Sequence, residues 1–229
     1  MLMLRNAGRT FPLLCAIMTC FSVTAQQSET ARRMQRDGYV DVTTVDSSLH
    51  VDLMYTRPDN FTGRVLYTDL HEAFLHPAAA KALAKAQRLL RQRRPDLSLK
   101  IYDAARPRHI QQRMWNVVAG TSKSIYVSNP RNGGGLHNYG MAVDLTLCRA
   151  ATGDTIPMGT VIDYLGLYAH IDQEASLVQR GIITGQEKEN RELLRSVMRE
   201  AGFKPLKSEW WHFNFITRAE ARAKYKPIP

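Results

Sequence analysis

Gly133-Gly-Gly-Leu-His137-Asn-Tyr-Gly140-Met-Ala-Val-Asp144-Leu-Thr-Leu147 is where the chain passes from loop to strand. Met141 to Leu147 alternates with the period of a strand, which sends Ala142, Asp144 and Thr146 one way and Val143, Leu145 and Leu147 the other. The second set suits a core, and the first set can look into a site. Upstream, residues 119–136 form a long Ser-, Asn- and Gly-rich loop, a type that tends to be functional inside a compact domain. Before it come a helix from Pro107 to about Val118, a strand from Leu97 to Tyr102 and a helix from Pro77 to Arg94, stopped by Pro95. Short alternating stretches in 38–56 read as strands and Asn60-Phe61-Thr62-Gly63 as a turn. Downstream, residues 150–186 are irregular, Glu187 to Ala201 is a helix closed by Gly202, and Trp210 to Ile216 is a last strand. Helices and strands do not alternate regularly, and there are no internal repeats, so the expected class is α+β.

The first 25 residues differ in kind. Arg5 and Arg9 precede a short apolar run from Phe11 to Phe21, and Val23-Thr24-Ala25 offers small residues for cleavage. This is the pattern of a signal peptide, too short to span a bilayer comfortably. Lipidation at Cys20 is the alternative, which Met18 and Thr19 disfavour. The expectation is therefore an exported, periplasmic protein, with residues 26–37 a flexible segment and 38–229 the working domain. No later stretch is apolar enough to be transmembrane.

Cleavage would remove two arginines and lower the net charge from +10 to +8. Cys148 would then be the last cysteine, which excludes an intramolecular disulfide and leaves stability to the core, with a metal as possible help. The basic residues are dispersed apart from Arg88, Arg91, Arg93 and Arg94, which a solvated helix face explains, so no nucleic-acid partner is expected.

Three groups of residues carry chemistry. In the first, the glycines before His137 and at 140 let the chain turn back; without a turn, seven residues of strand would hold His137 and Asp144 about 23 Å apart. The second is Glu209-Trp-Trp-His212, with Glu209 at the turn entering the strand and His212 within it. Two histidines and a carboxylate make a catalytic zinc set that leaves a position for water. The third is Asp103-Ala-Ala-Arg106-Pro107, where an arginine fork can meet an oxyanion. Each has a plainer reading alone: a surface or capped His137, a turn or salt-bridge Asp144, a chance Glu-x-x-His, a structural Arg–Asp pair. Their joint occurrence is far more specific. Cys148 reads as a buried structural thiol, and of the other histidines His109 is the one expected nearest the site.

The pattern His137-x-x-Gly140-x-Ala142-x-Asp144 with a distant Glu209-x-Trp211-His212 resembles the zinc D-alanyl-D-alanine peptidases. The match is closest to the VanX-type D-alanyl-D-alanine dipeptidases. It extends to Asp59-Asn60-Phe61-Thr62-Gly63, Tyr102-Asp103, Arg106-Pro107, Thr152-Gly153-Asp154, Pro157-Met158-Gly159, Asn190-Arg191 and Ser208, over roughly 38–216. The resemblance implies an antiparallel central sheet flanked by helices, a zinc D-Ala-D-Ala peptidase/hedgehog-like fold. It implies one zinc per chain on His137, Asp144 and His212, Glu209 as general base and Arg106 as stabiliser of the tetrahedral intermediate. Asp103 and Tyr55 fall where the family has residues near the substrate. Gly135 departs from the family, which usually carries Ser there, and puts the substrate preference in question.

The function expected is zinc-dependent hydrolysis of D-Ala-D-Ala or a similar dipeptide derived from peptidoglycan. Its nearer rival is a carboxypeptidase or endopeptidase trimming wall peptides; the more distant one is a non-catalytic zinc domain that binds them.

Overall fold

The computed structural model describes residues 27–229. The expected signal peptide lies outside the described residues, and among them no helix is long and apolar enough to cross a membrane.

The described chain opens with helix α1 (Glu29–Arg36), whose N-terminus is capped by the Ser28 hydroxyl accepting from the Ala31 amide at 3.0 Å. Ala31 and Met34 sit three apart on its inner face and are buried in the core. Residues 29–36 of the segment expected to be flexible over 26–37 are thus a docked helix: one apolar stripe on an otherwise polar and charged octapeptide is enough to hold it.

Next come β1 (Val40–Asp41), the short α2 (Val42–Val45), β2 (His50–Val51) and β3 (Phe74–Leu75), with β1 and β3 pairing apart from the main sheet. Helix α3 (Pro77–Arg93) starts with Pro77 behind a His76 cap, as its composition dictates. β4 (Leu97–Asp103) leads to α4 (Arg108–Val118), where Pro107 stands as the N-cap because it has no amide to give. β5 (Ala142–Arg149), α5 (Glu174–Gln179), α6 (Gly185–Glu200), β6 (Lys204–Leu206), β7 (Glu209–Asn214) and α7 (Arg218–Lys224) complete the order.

The main sheet runs β2-β4-β5-β7-β6. Its four core strands are antiparallel, as expected, while the two-residue edge strand β2 pairs in parallel with β4. Helices α3 and α6 lie side by side against it, α3 on β4 and α6 on β5 and β7. β5 is buried on both faces through Cys148, so the Ala142–Asp144–Thr146 face is more enclosed than alternation alone suggests. Loops from residues 121–136 and 155–165 cover that face and turn an open surface into a cleft.

Candidate active site

Strand register assembles the site. Asp144 on β5 lies directly opposite His212 on β7, and Asp103 at the end of β4 lies opposite Asp144 across a bulge. Three polar residues from distant parts of the chain thus form one row across the sheet. His137 joins them from a single 3-10 turn, Leu136–Tyr139, that precedes β5. Gly140 closes that turn in the left-handed region at φ 62°, and a side chain there would sit 2.8 Å from the His76 amide and against the Tyr39 ring. The turn is tied to the segment after β4: the Arg106 amide donates to the His137 carbonyl, and the Asn138 side chain to the Arg106 carbonyl.

The convergence has a definite chemical character. His137 Nδ1 is 2.6 Å from the Ala104 carbonyl and His212 Nε2 is 2.9 Å from Asn214 Oδ1, both acceptors, so each of these nitrogens carries its ring's proton. That leaves His137 Nε2 and His212 Nδ1 with lone pairs, 3.2 Å from each other. Asp144 adds its oxygens at 3.3 Å from the first and 2.9 Å from the second. Tetrahedral ligands on a zinc ion with ~2.0–2.2 Å bonds stand roughly 3.3 Å apart. Two imidazole nitrogens at about that spacing, each with its other ring nitrogen tied down by an acceptor, and a carboxylate with one oxygen against each of them make a three-residue group whose ligand atoms all lie within 4.8 Å of one another, a donor set that fits a divalent cation of the zinc type. Burial alone would raise the Asp144 carboxyl, but with no metal between them His137 and His212, when they turn a proton toward it, hold it far below the ordinary carboxylate range.

Arg106 stands over this group. Its Nε donates to Asp103 Oδ2 at 2.8 Å, one terminal nitrogen also reaches Asp103, and the other donates to Gln111 Oε1 at 2.9 Å. Its guanidinium lies 5.3 Å over the Tyr55 ring and 3.7 Å from Asp144. Burial works against the charge, but Asp103 outweighs it and keeps Arg106 protonated. Asp103 is fully buried and its other oxygen accepts from the Tyr67 hydroxyl at 2.6 Å. The expected substrate contact of Asp103 is therefore corrected: both oxygens are occupied, and the residue holds Arg106 in place from behind. Tyr55 does line the cleft, with its hydroxyl donating to Asp163 at 3.0 Å.

Glu209 begins β7 and lines the same cleft, which encloses about 340 Å³. Burial pushes its carboxyl up to about 8; His212 opposes this while Asp144 and Asp163 add to it. A carboxyl titrating near neutrality is basic enough to take a proton from water and acidic enough to return it to an amine. Trp210 and Trp211, buried and edge-on at 5.4 Å, wall off this end of the strand.

Asp163 is a residue that sequence reasoning missed. It lies in the stretch expected to be irregular and is the one non-glycine among the described residues at positive φ, 66°. Burial, then the charge of Asp144, push its carboxyl up to about 7, and its Oδ2 is buried with no hydrogen-bond partner in the cleft wall. A lone acid in Val161-Ile162-Asp163-Tyr164-Leu165 was the available signal, since Asp tolerates left-handed backbone better than its neighbours. The loop is anchored from α6 and β7. Arg191 Nε donates to the Met158 carbonyl at 2.6 Å and its NH1 to the Tyr168 carbonyl at 3.1 Å. Asn190 donates to the Pro157 carbonyl, and Trp210 Nε1 to Thr160. His109, expected near the site, is instead on the exposed side of α4. Cys148 is fully buried, its thiol pushed up to about 11 by burial, in keeping with a structural role.

A family model described as D-ala-D-ala dipeptidase matches residues 35–227, a span that contains every residue of this site. The chain belongs to that family. The D-alanyl-D-alanine dipeptidase of Escherichia coli is 32% identical over 174 residues, covering 76% of this chain and 82% of that protein. That of Streptomyces coelicolor is 30% identical over 186 residues, 73% and 86% of the two chains. That of Enterococcus faecium is 39% identical over 77 residues, about a third of each chain. Membership of the dipeptidase family and the α+β architecture both agree with the sequence reading.

The buried acids of this D-ala-D-ala dipeptidase family site make the metal-free protein sensitive to pH. Glu209 and Asp163 hold their protons up to about 8 and about 7 when folded, but release them in the ordinary carboxylate range when unfolded. Folded pKa values raised in this way give stability that is complete below the unfolded pKa and lost as pH climbs to the folded one. The loss is up to about 1.4 kcal/mol per pH unit for each group. Asp144, shifted the other way, acts only at lower pH. The melting temperature of metal-free protein should therefore fall as pH is raised from about 5 to about 8, and added zinc should oppose the fall. A melting temperature that climbs over this window would contradict the assignment.

Proposed function

We propose that this protein is a zinc dipeptidase that hydrolyses D-Ala-D-Ala or a similar small dipeptide derived from peptidoglycan. The observation that carries the reading is the meeting of three lone-pair atoms beside Glu209 and Arg106 in a cleft of about 340 Å³. That volume is at the small end for ligand pockets. His137, Asp144 and His212 would hold one zinc, which when bound polarises the scissile carbonyl and makes water a better acid. Glu209 takes the proton from the attacking water and delivers it to the leaving amine, so that the peptide bond breaks into two amino acids. Arg106, locked by Asp103 and Gln111, keeps its remaining N–H donors for the oxygen that becomes negative.

Asp163 favours a dipeptidase over a carboxypeptidase. A buried carboxylate oxygen without a partner matches an α-ammonium, which an acylated or longer peptide lacks at that position. The test compares release of free D-alanine from D-Ala-D-Ala and from its N-acylated form by zinc-loaded protein. The free dipeptide should be strongly preferred, and Asp163→Asn should lower its kcat/KM by about 10–100-fold, the worth of a charged hydrogen bond. Faster cleavage of the acylated form would favour the wall-trimming carboxypeptidase. Export to the periplasm belongs to the same proposal: Arg5, Arg9 and the apolar run that follows support it, and a wall-derived dipeptide would be met there.

A further inference from the structure

A zwitterionic dipeptide presents a carboxylate as well as an ammonium, and the cleft's acids Asp144, Asp163 and Glu209 offer that carboxylate no counter-charge. Two arginines line the cleft, Arg106 and Arg218. Arg106 is committed to Asp103 and Gln111, whereas Arg218 is exposed at the mouth and makes one hydrogen bond, from its NH2 to the Ser128 hydroxyl at 2.9 Å. Ser128 is fixed in turn by Gln111, whose amide donates to the Ser128 carbonyl at 2.8 Å. A continuous chain of contacts therefore runs Asp103–Arg106–Gln111–Ser128–Arg218 along one wall. It places a second cation three contacts beyond the arginine that faces the reacting carbonyl.

Gly135 keeps that wall open. A Cβ built at Gly135 would meet Ser128 alone, its Oγ at 3.1 Å and its Cβ at 3.4 Å. The space a side chain would fill at 135 is thus bordered by the Ser128 hydroxyl, whose oxygen accepts from Arg218 and whose proton is free to donate. An incoming carboxylate would find there a hydroxyl donor and a guanidinium with four uncommitted N–H groups.

Resting on the dipeptidase reading, we infer that Arg218 and Ser128 form the subsite for the substrate's C-terminal carboxylate, with Gly135 as the gap that admits it. They select free dipeptide acids over dipeptide amides. The experiment compares D-Ala-D-Ala with D-alanyl-D-alaninamide on zinc-loaded full-length protein. The acid should be preferred by about tenfold or more, and Arg218→Gln should erase that preference through KM, with kcat and zinc content kept. Ser128→Ala should weaken it, and Gly135→Ser, whose Cβ would fill the gap against Ser128, should weaken it as well. Equal use of acid and amide by the unaltered protein, or an unchanged preference in Arg218→Gln, would overturn the subsite while leaving the dipeptidase intact. Should neither compound be cleaved, the proposed function fails by itself. Calorimetric binding of D-Ala-D-Ala then decides the subsite: weaker binding by Arg218→Gln supports it, and equal binding overturns it.

Discussion

Glu209→Ala should abolish turnover of the dipeptide, by about 10⁴-fold at the upper end of what a positioned base contributes, while the protein still binds one zinc. The reason is geometric. Glu209 lies on the same strand as His212 but is not part of the three-atom group of His137, Asp144 and His212. Activity by free-D-alanine release and metal content on the same preparation test both halves. Loss of the zinc together with the activity would make Glu209 a ligand and end its assignment as base. A second readout follows from burial: since Glu209 is pushed up to about 8, its removal should flatten the pH dependence of the metal-free protein's melting temperature.

Arg106→Ala should lower kcat by about 10²–10³-fold, the usual loss when one oxyanion donor is removed. It should also destabilise the fold, because Asp103 is fully buried and would keep a charge with no counter-ion, a change worth about 3–5 kcal/mol. Arg106→Lys separates the two effects. A lysine retains a counter-charge but not the planar fork that joins Asp103, Gln111 and the cleft, so turnover should still fall while the melting temperature recovers in part. Unchanged turnover in both variants would remove Arg106 from the mechanism.

Most of the site was legible because its members are rare residue types in demanding places. A carboxylate in the middle of an apolar strand, Asp144, needs a partner. A histidine set between glycines, His137, needs a turn, and Glu209 and His212 flank paired tryptophans. Helix limits at Pro77, Pro107 and Gly202 were legible for the same reason, since proline and glycine act through local backbone geometry. Other features were hidden. The amphipathic stripe of α1 is only Ala31 and Met34, too sparse to stand out in an octapeptide whose other six residues are polar or charged. Asp103 reads as a cleft residue until Tyr67, distant in sequence, is seen to occupy its second oxygen. Asp163 sits in a loop without periodicity, held by Arg191 from α6.

By itself the sequence determined the residue types able to bind a metal, the turn at His137 and Gly140, and the order of helices and strands. All of these follow from side-chain chemistry and local backbone preference. Only the tertiary structure decided which atoms meet. The register of β4, β5 and β7 sets Asp103, Asp144 and His212 in one row, and the loops above close the cleft around Glu209, Asp163 and Arg218. Strand register and loop packing are fixed by contacts between residues far apart in the chain, so no local pattern records them.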